Sequence, residues 1–375
     1  MSKALNIISF DVPFPANYGG VIDVYYKLVW LKKEGIKVHL HCFTYGRSES
    51  KELEALCEKV YYYKRGTGFF SNVSPLPYTV KSRQSKELEA NLLANDFPIL
   101  FEVLHTCYLL NDGRFKNRKK IYRHSNIEHD YYLQLSKSER NIFKRIYLRI
   151  EAKKLERFEK IINFADVILA VNENDAAYFK LHYPKVETVY LPSFHPNEEV
   201  NIKQGKGDYI LYHGNLSVSE NYESALWLIE NVFCEVQHKI IIAGLNPPAF
   251  LKNSIEGYGH IQLIENPSAD KMDELIANAQ IHCLHTFQAT GLKLKLLNVL
   301  FKGRFVICNP KMIVGTRIGS GDKDGNYMGS RPVDFIGLIR DLMEQNLTDE
   351  IIEGRRKSLK IYFNQENIKK LLESI

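Results

Sequence analysis

Two lysines near the start of a predicted helix carry the sharpest chemical signal in the sequence. In TGLKLKLLNVLFKG, residues 290–303, Gly291 opens the helix directly after a strand, and Lys293 and Lys295 fall in its first turns. Cations there oppose the helix dipole and are disfavoured unless an anion is bound. The helix is apolar nearly all round (Leu292, Leu294, Leu296, Leu297, Val299, Leu300), so it reads as buried, and a buried lysine needs a partner. At about 100° per residue the two lysines lie about 160° apart, so only one can point into a given site. Lys295, on the face of Gly291 and Asn298, is the predicted anion ligand; a solvated lysine is the alternative. Gly19 and Gly20 end one loop and open another helix, where glycine either lets backbone amides approach a phosphate or simply makes a tight turn. His105 follows a predicted strand over 98–104 and is a ligand, an acid/base or a structural histidine. RHSNIEHDYY, 123–132, offers Arg123, His124, Asn126 and Glu128 after the next strand. That cluster suits sugar hydroxyls, and equally an N-cap at Ser125 or Asn126. His39/His41 and His282/His285 give two ligands each, so no metal site is predicted.

Several familiar sites are missing. There is no G-x-x-x-x-G-K-[ST] and no G-x-G-x-x-G after a strand, which removes support for a P-loop ATPase or a dinucleotide enzyme. There is no G-x-S-x-G elbow for a hydrolase.

The elements that must position these residues alternate. Strand runs at 4–10, 36–43, 59–63, 98–104, 119–124 and 166–172 are separated by helical stretches, including 82–95 and an amphipathic 138–164. That last stretch sets Phe143, Ile146, Ile150, Leu155, Phe158 and Ile162 at helical spacing with Lys and Arg between them. A long Gly/Pro/Ser loop is predicted over 64–80. YLPSFHPNEE, 190–199, reads as a linker, after which strands recur at 208–214, 238–244, 260–266, 280–285 and 304–309 with helices between. Continuous apolar strands of this kind indicate parallel sheets covered on both faces. Two such arrays predict two doubly wound domains with ligands at the carboxyl ends of their strands.

Composition bounds the rest. The chain has 375 residues, 45% apolar and 25% charged, which suits a two-domain globular protein and excludes collagen-like or disordered classes. No apolar run reaches the roughly 18 residues of a membrane span, and the N-terminus does not read as a signal peptide. Six cysteines without a C-x-x-C pair suit free thiols in a reducing cytoplasm. A net charge of +6 is too mild to argue for nucleic acid. It is uneven, however: Arg114–Lys160 holds fifteen Lys or Arg against six Asp or Glu. That run is either a solvated face or a surface for anionic phosphate or lipid.

Taken together these motifs resemble the retaining GT-B glycosyltransferases, the group 1 or family 4-like class of bacterial mannosyl- and glucosyltransferases. The resemblance rests on P-x-x-x-x-G-G from Pro15 to Gly20, on RHSNIEHDYY, on EAKKLERFEKIINFADVILAVNENDA, on YILYHGNL and on TGLKLKLLNVLFKGRFVICN. It implies an α/β fold of two Rossmann-like doubly wound parallel-sheet domains facing across a cleft. The expected domains are 1–191 for the acceptor, 192–355 for the nucleotide-sugar donor, and a C-terminal helix, 356–375, returning to the first. It implies hexosyl transfer from a nucleotide-diphosphate sugar, as co-substrate and with no other cofactor or metal, to a glycan or lipid-linked acceptor in cell-surface polysaccharide synthesis. His105 and Lys295 would be catalytic. Gly19, Gly20, Gly214, Asn215, Thr290, Gly291, Lys293 and Asn298 would contact the donor. The protein would be cytoplasmic and peripheral at the inner membrane face, with the basic stretch 137–160 on anionic lipid. Two departures from the class stand out. Its Glu-x7-Glu pair falls on Thr290 and Asn298, and its Arg and Lys after the first strand of the second domain fall nearest Asn215 and Glu220. Those losses keep open a non-catalytic GT-B-like subunit that binds a nucleotide sugar or a partner.

Overall fold

The structure, a computed structural model, describes residues 4–68, 71, 74–139, 141–289 and 291–375. The chain divides into two compact units, Met1–His195 with Asn364–Ile375, and Pro196–Phe363. Among the described residues no helix is long and apolar enough to cross a membrane.

The first unit is built on seven parallel strands: β1 (Ala4–Ser9), β2 (Lys37–Thr44), β3 (Lys59–Lys64), β4 (Ile99–Glu102), β5 (Lys120–Arg123), β6 (Val167–Ala170) and β7 (Glu187–Tyr190). Their order is β3-β2-β1-β4-β5-β6-β7. The strands are apolar on both faces because helices cover both; Ile7 and Ile8, or Leu100 and Phe101, are adjacent in sequence and wholly buried. β7 lies just before and into the stretch read as a linker. The predicted helix over 82–95 is shorter, Lys86–Leu93, with Ser85 accepting a hydrogen bond from Leu88 N as its cap.

The unit's centre holds a buried charge network. Arg123, at the end of β5, donates to both oxygens of Asp23, at 3.0 and 3.1 Å. Lys27, one turn along helix Gly19–Lys33, lies 3.2 Å from Asp23 and also reaches Glu102 at the end of β4. Burial alone would raise the Asp23 pKa, but Arg123 and Lys27 hold it down at about 2. Burial keeps the Glu102 pKa raised. The remaining Arg123 donors go to the carbonyls of Leu191 and Pro192, and Asp23 accepts from Phe194 N at 2.7 Å. The segment after β7 is thus tied to this network. At the unit's edge Asn364 donates to His195 O at 2.7 Å and accepts from His195 N at 3.2 Å. Helix Asn364–Glu373 packs Ile368 and Leu371 into the same core.

The amphipathic stretch predicted over 138–164 is helix Ile142–Glu159 followed by the 3-10 helix Lys160–Phe164, and the helix packs on the preceding one, Glu128–Ser138. Of its six spaced apolar residues only Leu155 and Ile162 are buried, Phe158 is half-buried, and Phe143, Ile146 and Ile150 are exposed.

The second unit repeats the plan with six parallel strands: β8 (Ile210–Asn215), β9 (Ile240–Leu245), β10 (Ile261–Glu265), β11 (Ile281–Leu284), β12 (Phe305–Cys308) and β13 (Asn326–Met328), in the order β10-β9-β8-β11-β12-β13. β13 is an addition to the strands expected from sequence. Helix Leu294–Lys302 buries Leu296, Leu297, Val299, Leu300 and Phe301 against this sheet. At roughly 2 kcal/mol per buried large apolar side chain, that face fixes the helix firmly.

Candidate functional site

In open parallel sheets ligands bind beyond the carboxyl ends of the strands, where the strand order reverses. That point lies between β1 and β4 in the first unit and between β8 and β11 in the second. Most of the candidate residues sit at one of these two points.

In the second unit the site starts from a glycine pair. Gly214 and Gly244 are paired across β8 and β9. A Cβ on Gly244 would fall 1.9 Å from the Gly214 carbonyl oxygen, so the strand ends approach this closely only without one. A Cβ on Gly214 would meet the Asn221 side chain at 3.1 Å. Asn221, in the first turn of helix Ser219–Asn231, donates to Asn215 O at 2.9 Å. Its oxygen accepts from Lys295 Nζ at 2.9 Å.

Lys293 reaches the same place. Its Nζ lies 2.9 Å from Glu220 Oε1, which also accepts from the Thr286 hydroxyl just beyond β11. This corrects the expected separation of the two lysines. The helix spans Leu294–Lys302, with Lys293 as its extended N-cap residue and Gly291 at φ 66 before it. Lys293 therefore does not follow the helical phase, and the two ammonium groups bind neighbouring residues, Glu220 and Asn221. Gly291 likewise is outside the helix rather than on a face shared with Lys295. Asn298 stands one turn along from Lys295, its Oδ1 buried with no hydrogen-bond partner among the described residues. Thr290 lies outside the described residues.

Electrostatically the site is short of negative charge. Burial pushes the Lys295 pKa down to about 8; Glu220 opposes that shift and Lys293 adds to it. Burial would raise the Glu220 pKa, but Lys293 and the Thr286 hydroxyl hold it low. Burial and Lys295 push His213 down to about 3, and burial, Lys295 and Lys311 push His285 down to about 4. Both imidazoles are neutral at pH 7, leaving two cations against one carboxylate. The His285 ring stacks on Trp227 at 4.1 Å.

In the first unit Gly19 and Gly20 begin helix Gly19–Lys33, and the extended Tyr18 gives that helix no side-chain cap. Gly20 also has a packing reason: a Cβ there would meet Phe10 Cζ at 2.7 Å. β4 ends at Glu102, three residues short of His105, which lies instead in the 3-10 helix Leu104–Leu109. Between them Val103 has φ 59, a strained conformation for a β-branched residue and one that marks functional turns. His105 Nε2 stands 3.2 Å from Glu128 Oε2, at an angle that makes no hydrogen bond. Glu128 is in the first turn of its helix, but the N-cap position is Ile127, so neither Ser125 nor Asn126 caps it. Buried His124 does not line a site with Arg123; its Nε2 faces Asp175 at 3.4 Å and Arg123 belongs to the charge network. An open cavity of about 620 Å³, lined by Phe14, Asn17, Arg47 and Lys51 among others, flanks the loop after β1.

Sequence reasoning missed Asn221, Thr286 and Val103. The polar run NLSVSEN after a strand ending in Gly-Asn is the one available signal for Asn221.

No family model matches the chain. It is 28% identical over 346 residues to an uncharacterized 44.6 kDa protein in the cps region of Klebsiella pneumoniae, covering 86% of this chain and 87% of that one. Its structure is similar to that of Anabaena HepE in complex with UDP and glucose, with TM-score 0.65 at 11% identity over the whole of both chains. It is also similar to an S. aureus TarM mutant in complex with Fondaparinux, alpha-GlcNAc-glycerol and UDP, with TM-score 0.68 at 10% identity over 99% of each. A UDP-glucosyltransferase from Polygonum tinctorium capable of glucosylating indoxyl matches with TM-score 0.56 at 12% identity, over 100% of this chain and 98% of that one. At these identities the likeness establishes the fold: two doubly wound parallel-sheet units of the GT-B type.

Proposed function

We propose that this chain is a glycosyltransferase that moves a hexose from a nucleotide-diphosphate sugar to a glycan or lipid-linked acceptor. The reading places it in cell-surface polysaccharide synthesis, as a retaining, metal-independent enzyme of the group 1 or family 4-like class. It would work in the cytoplasm at the inner membrane face. One observation carries the proposal: Lys293 and Lys295 meet on adjacent residues at the β8–β11 switch point, with Glu220 the one carboxylate among the described residues that pairs with them. A diphosphate is the ligand class that this charge imbalance accepts. The UDP complexes of HepE and TarM and the cps-region relative support the same reading.

In this reading Lys295, Lys293 and the first amides of helix Leu294–Lys302 hold the diphosphate. The unpartnered Asn298 oxygen accepts a ribose hydroxyl, taking the part of the class's second glutamate. As the bond from sugar C1 to phosphate oxygen breaks, negative charge grows on the leaving phosphate, and the fixed lysines stabilise it more than they stabilise the bound donor. The acceptor oxygen bonds to C1 and its proton passes to the departing phosphate. The resemblance to the class assigns the sugar contact to His105, which has Glu128 beside it within the first unit.

The test is a thermal-shift screen of the full chain with UDP-, GDP- and ADP-sugars, in the presence of EDTA. Hydrolysis and transfer assays on whichever binds would follow, with the product anomer read by NMR. The expected result is one nucleotide series binding without metal and a product with the donor's anomeric configuration. Failure of every nucleotide sugar to bind would overturn the donor assignment, and activity lost in EDTA and restored by manganese would overturn the metal-independent mechanism. A second reading, a non-catalytic nucleotide-sugar-binding subunit, is favoured by Glu220, whose carboxylate already occupies Lys293. It predicts binding with no turnover.

A further inference from the structure

The second unit has a further cavity, at the end of its sheet opposite the lysine site. It is open, about 690 Å³ in volume, and lies between helix Ala269–Asn278 and the strands β8, β9 and β10. That volume falls within the range of small-molecule sites, about 300–1,000 Å³. Tyr209, Ile241 and Leu275 form an apolar floor. Among its lining residues Tyr209 directly precedes β8, Lys239 precedes β9 and Arg304 precedes β12, so the cavity sits at the amino ends of these strands. Gly214, Thr286 and the lysines lie at or beyond the carboxyl ends. The length of β8 separates the two places, about 20 Å for six residues at about 3.3 Å each.

Arg304 is the residue that points to a ligand. It is 5% exposed, yet among the described residues no carboxylate pairs with it. Its Nη1 donates to Ala277 O and Ala279 O at 2.9 and 3.1 Å, and its Nη2 to Gln204 O at 3.4 Å. The first two contacts hold the last turn of helix Ala269–Asn278, where a cation is favoured. They leave Nε buried without a hydrogen-bond partner. A buried guanidinium is rare without an anion, and an unmade hydrogen bond on a charged group is costly. Burial lowers the Arg304 pKa, with Tyr209 and Asp208 opposing the shift. Three lysines also line the cavity. Lys206 is paired with Glu344 at 2.7 Å and Lys271 with Glu274 at 3.0 Å. Lys239 has no carboxylate partner among the described residues, and its Nζ stands 5.5 Å from the centre of the Tyr209 ring. Lys239 and Arg304 therefore remain unpaired, with the exposed Asp208 the one lining carboxylate not already taken by a lysine.

We propose that this cavity is a second ligand site, separate from the donor site, and that it takes a phosphorylated sugar. A phosphomonoester carries about −1.5 to −2 charges near pH 7, which answers two unpaired cations. Arg304 Nε and the Lys239 ammonium meet the phosphate through charge-assisted hydrogen bonds. The floor of Tyr209, Ile241 and Leu275 takes the C–H face of the sugar ring. The amide of Gln262, exposed on the edge strand β10, takes its hydroxyls. The inference does not rest on the glycosyltransferase reading.

The test is titration calorimetry of the full-length chain at low salt, with glucose 1-phosphate, glucose and inorganic phosphate as probes. Glucose 1-phosphate is expected to bind at millimolar concentration or below, and at least about tenfold more tightly than either of the other two. Lys239→Gln removes one charge-assisted contact and Gln262→Trp fills the cavity. Each should weaken binding at least about tenfold, with an unchanged melting temperature because both positions are exposed. Arg304→Lys, which keeps the charge and loses the planar donors, should also weaken it. Lys295→Ala should bind glucose 1-phosphate like the native chain, which separates this cavity from the donor site. Absence of native binding would overturn the proposal. So would Lys239→Gln and Gln262→Trp variants that bind like the native chain, inorganic phosphate that binds as tightly as glucose 1-phosphate, or a loss in Lys295→Ala equal to theirs.

Discussion

Replacing Lys295 by alanine should move affinity and stability in different directions. In the free protein the Lys295 ammonium is disfavoured: burial pushes its pKa down to about 8, and the contacts it makes with Asn221 and with the face of the Tyr212 ring are to neutral groups. A bound diphosphate would supply the missing charge. Lys295→Ala then removes a charge-assisted hydrogen bond worth roughly 1.5–3 kcal/mol, or about 10- to 150-fold in nucleotide-diphosphate affinity. Turnover should fall further than affinity, because charge builds on the leaving phosphate in the transition state. The melting temperature of the free variant should be unchanged or higher, since a half-buried cation has been removed. Lys293→Ala should also weaken binding, in part because it leaves Glu220 facing the phosphates alone. Lys293→Ala/Glu220→Gln should then recover part of that loss, a coupling between residues 2.9 Å apart. Titration calorimetry with UDP at pH 7 and low salt, beside thermal melts without ligand, gives both quantities. If Lys295→Ala melts lower while UDP affinity is untouched, Lys295 is a structural residue and the donor site is misplaced. If the double variant binds no better than Lys293→Ala, Glu220 does not oppose the ligand.

The same lysine sets a pH dependence. Its folded pKa of about 8 lies below its ordinary 10.5, so between those values the unfolded chain binds more protons and stability should rise with pH, while diphosphate affinity should fall above pH 8. Denaturant melts and calorimetry across pH 7 to 10 read the two opposite slopes. His105→Ala should reduce kcat while leaving UDP affinity nearly intact, because it sits at the switch point of the first unit; parallel calorimetry and turnover would show it, and equal losses in both would reassign it. Asp23→Asn leaves Arg123 and Lys27 without their shared carboxylate and should cost about 3–5 kcal/mol in urea unfolding. Gly244→Ala forces a Cβ to within 1.9 Å of the Gly214 oxygen and should cost about 1–3 kcal/mol in the same assay while also weakening UDP binding, since it spreads the strands beneath Asn221.

How much of this is legible in the sequence depends on the range over which each feature is decided. The strands β6, β9 and β12 are continuous apolar runs between turn residues, and local patterning suffices for them. Helix Leu294–Lys302 is recognisable by its lysines, but the apolar pattern places its first residue three positions early. Gly291 takes a left-handed backbone and Lys293 an extended one, neither of which an apolar repeat announces. That small displacement reverses the conclusion about where Lys293 points. His105 is readable next to its strand, yet the left-handed Val103 that ends the strand contradicts every preference of a β-branched residue, so only the folded backbone reveals it. The partner of Lys295 is 74 residues away in the chain, a separation at which single-sequence patterns say nothing. Periodicity identifies an amphipathic helix over 138–164 but carries no information about which side faces the protein.

The hydrogen bonds between Asn364 and His195 have a consequence for how such a chain is put together. The polypeptide leaves the first unit after His195 and comes back at Asn364, and these two residues grip each other through main-chain and side-chain amides. In topological terms the second unit is an insertion spliced into one tight turn of the first. Its two ends arrive already closed, so the entropy of bringing them together is supplied by the host fold rather than by the insert. Units joined in this way are separable parts: the segment from Pro196 to Phe363 enters and leaves its host at one pair of residues, and contributes neither a strand to the host sheet nor a member to the buried charge network beneath its carboxyl ends.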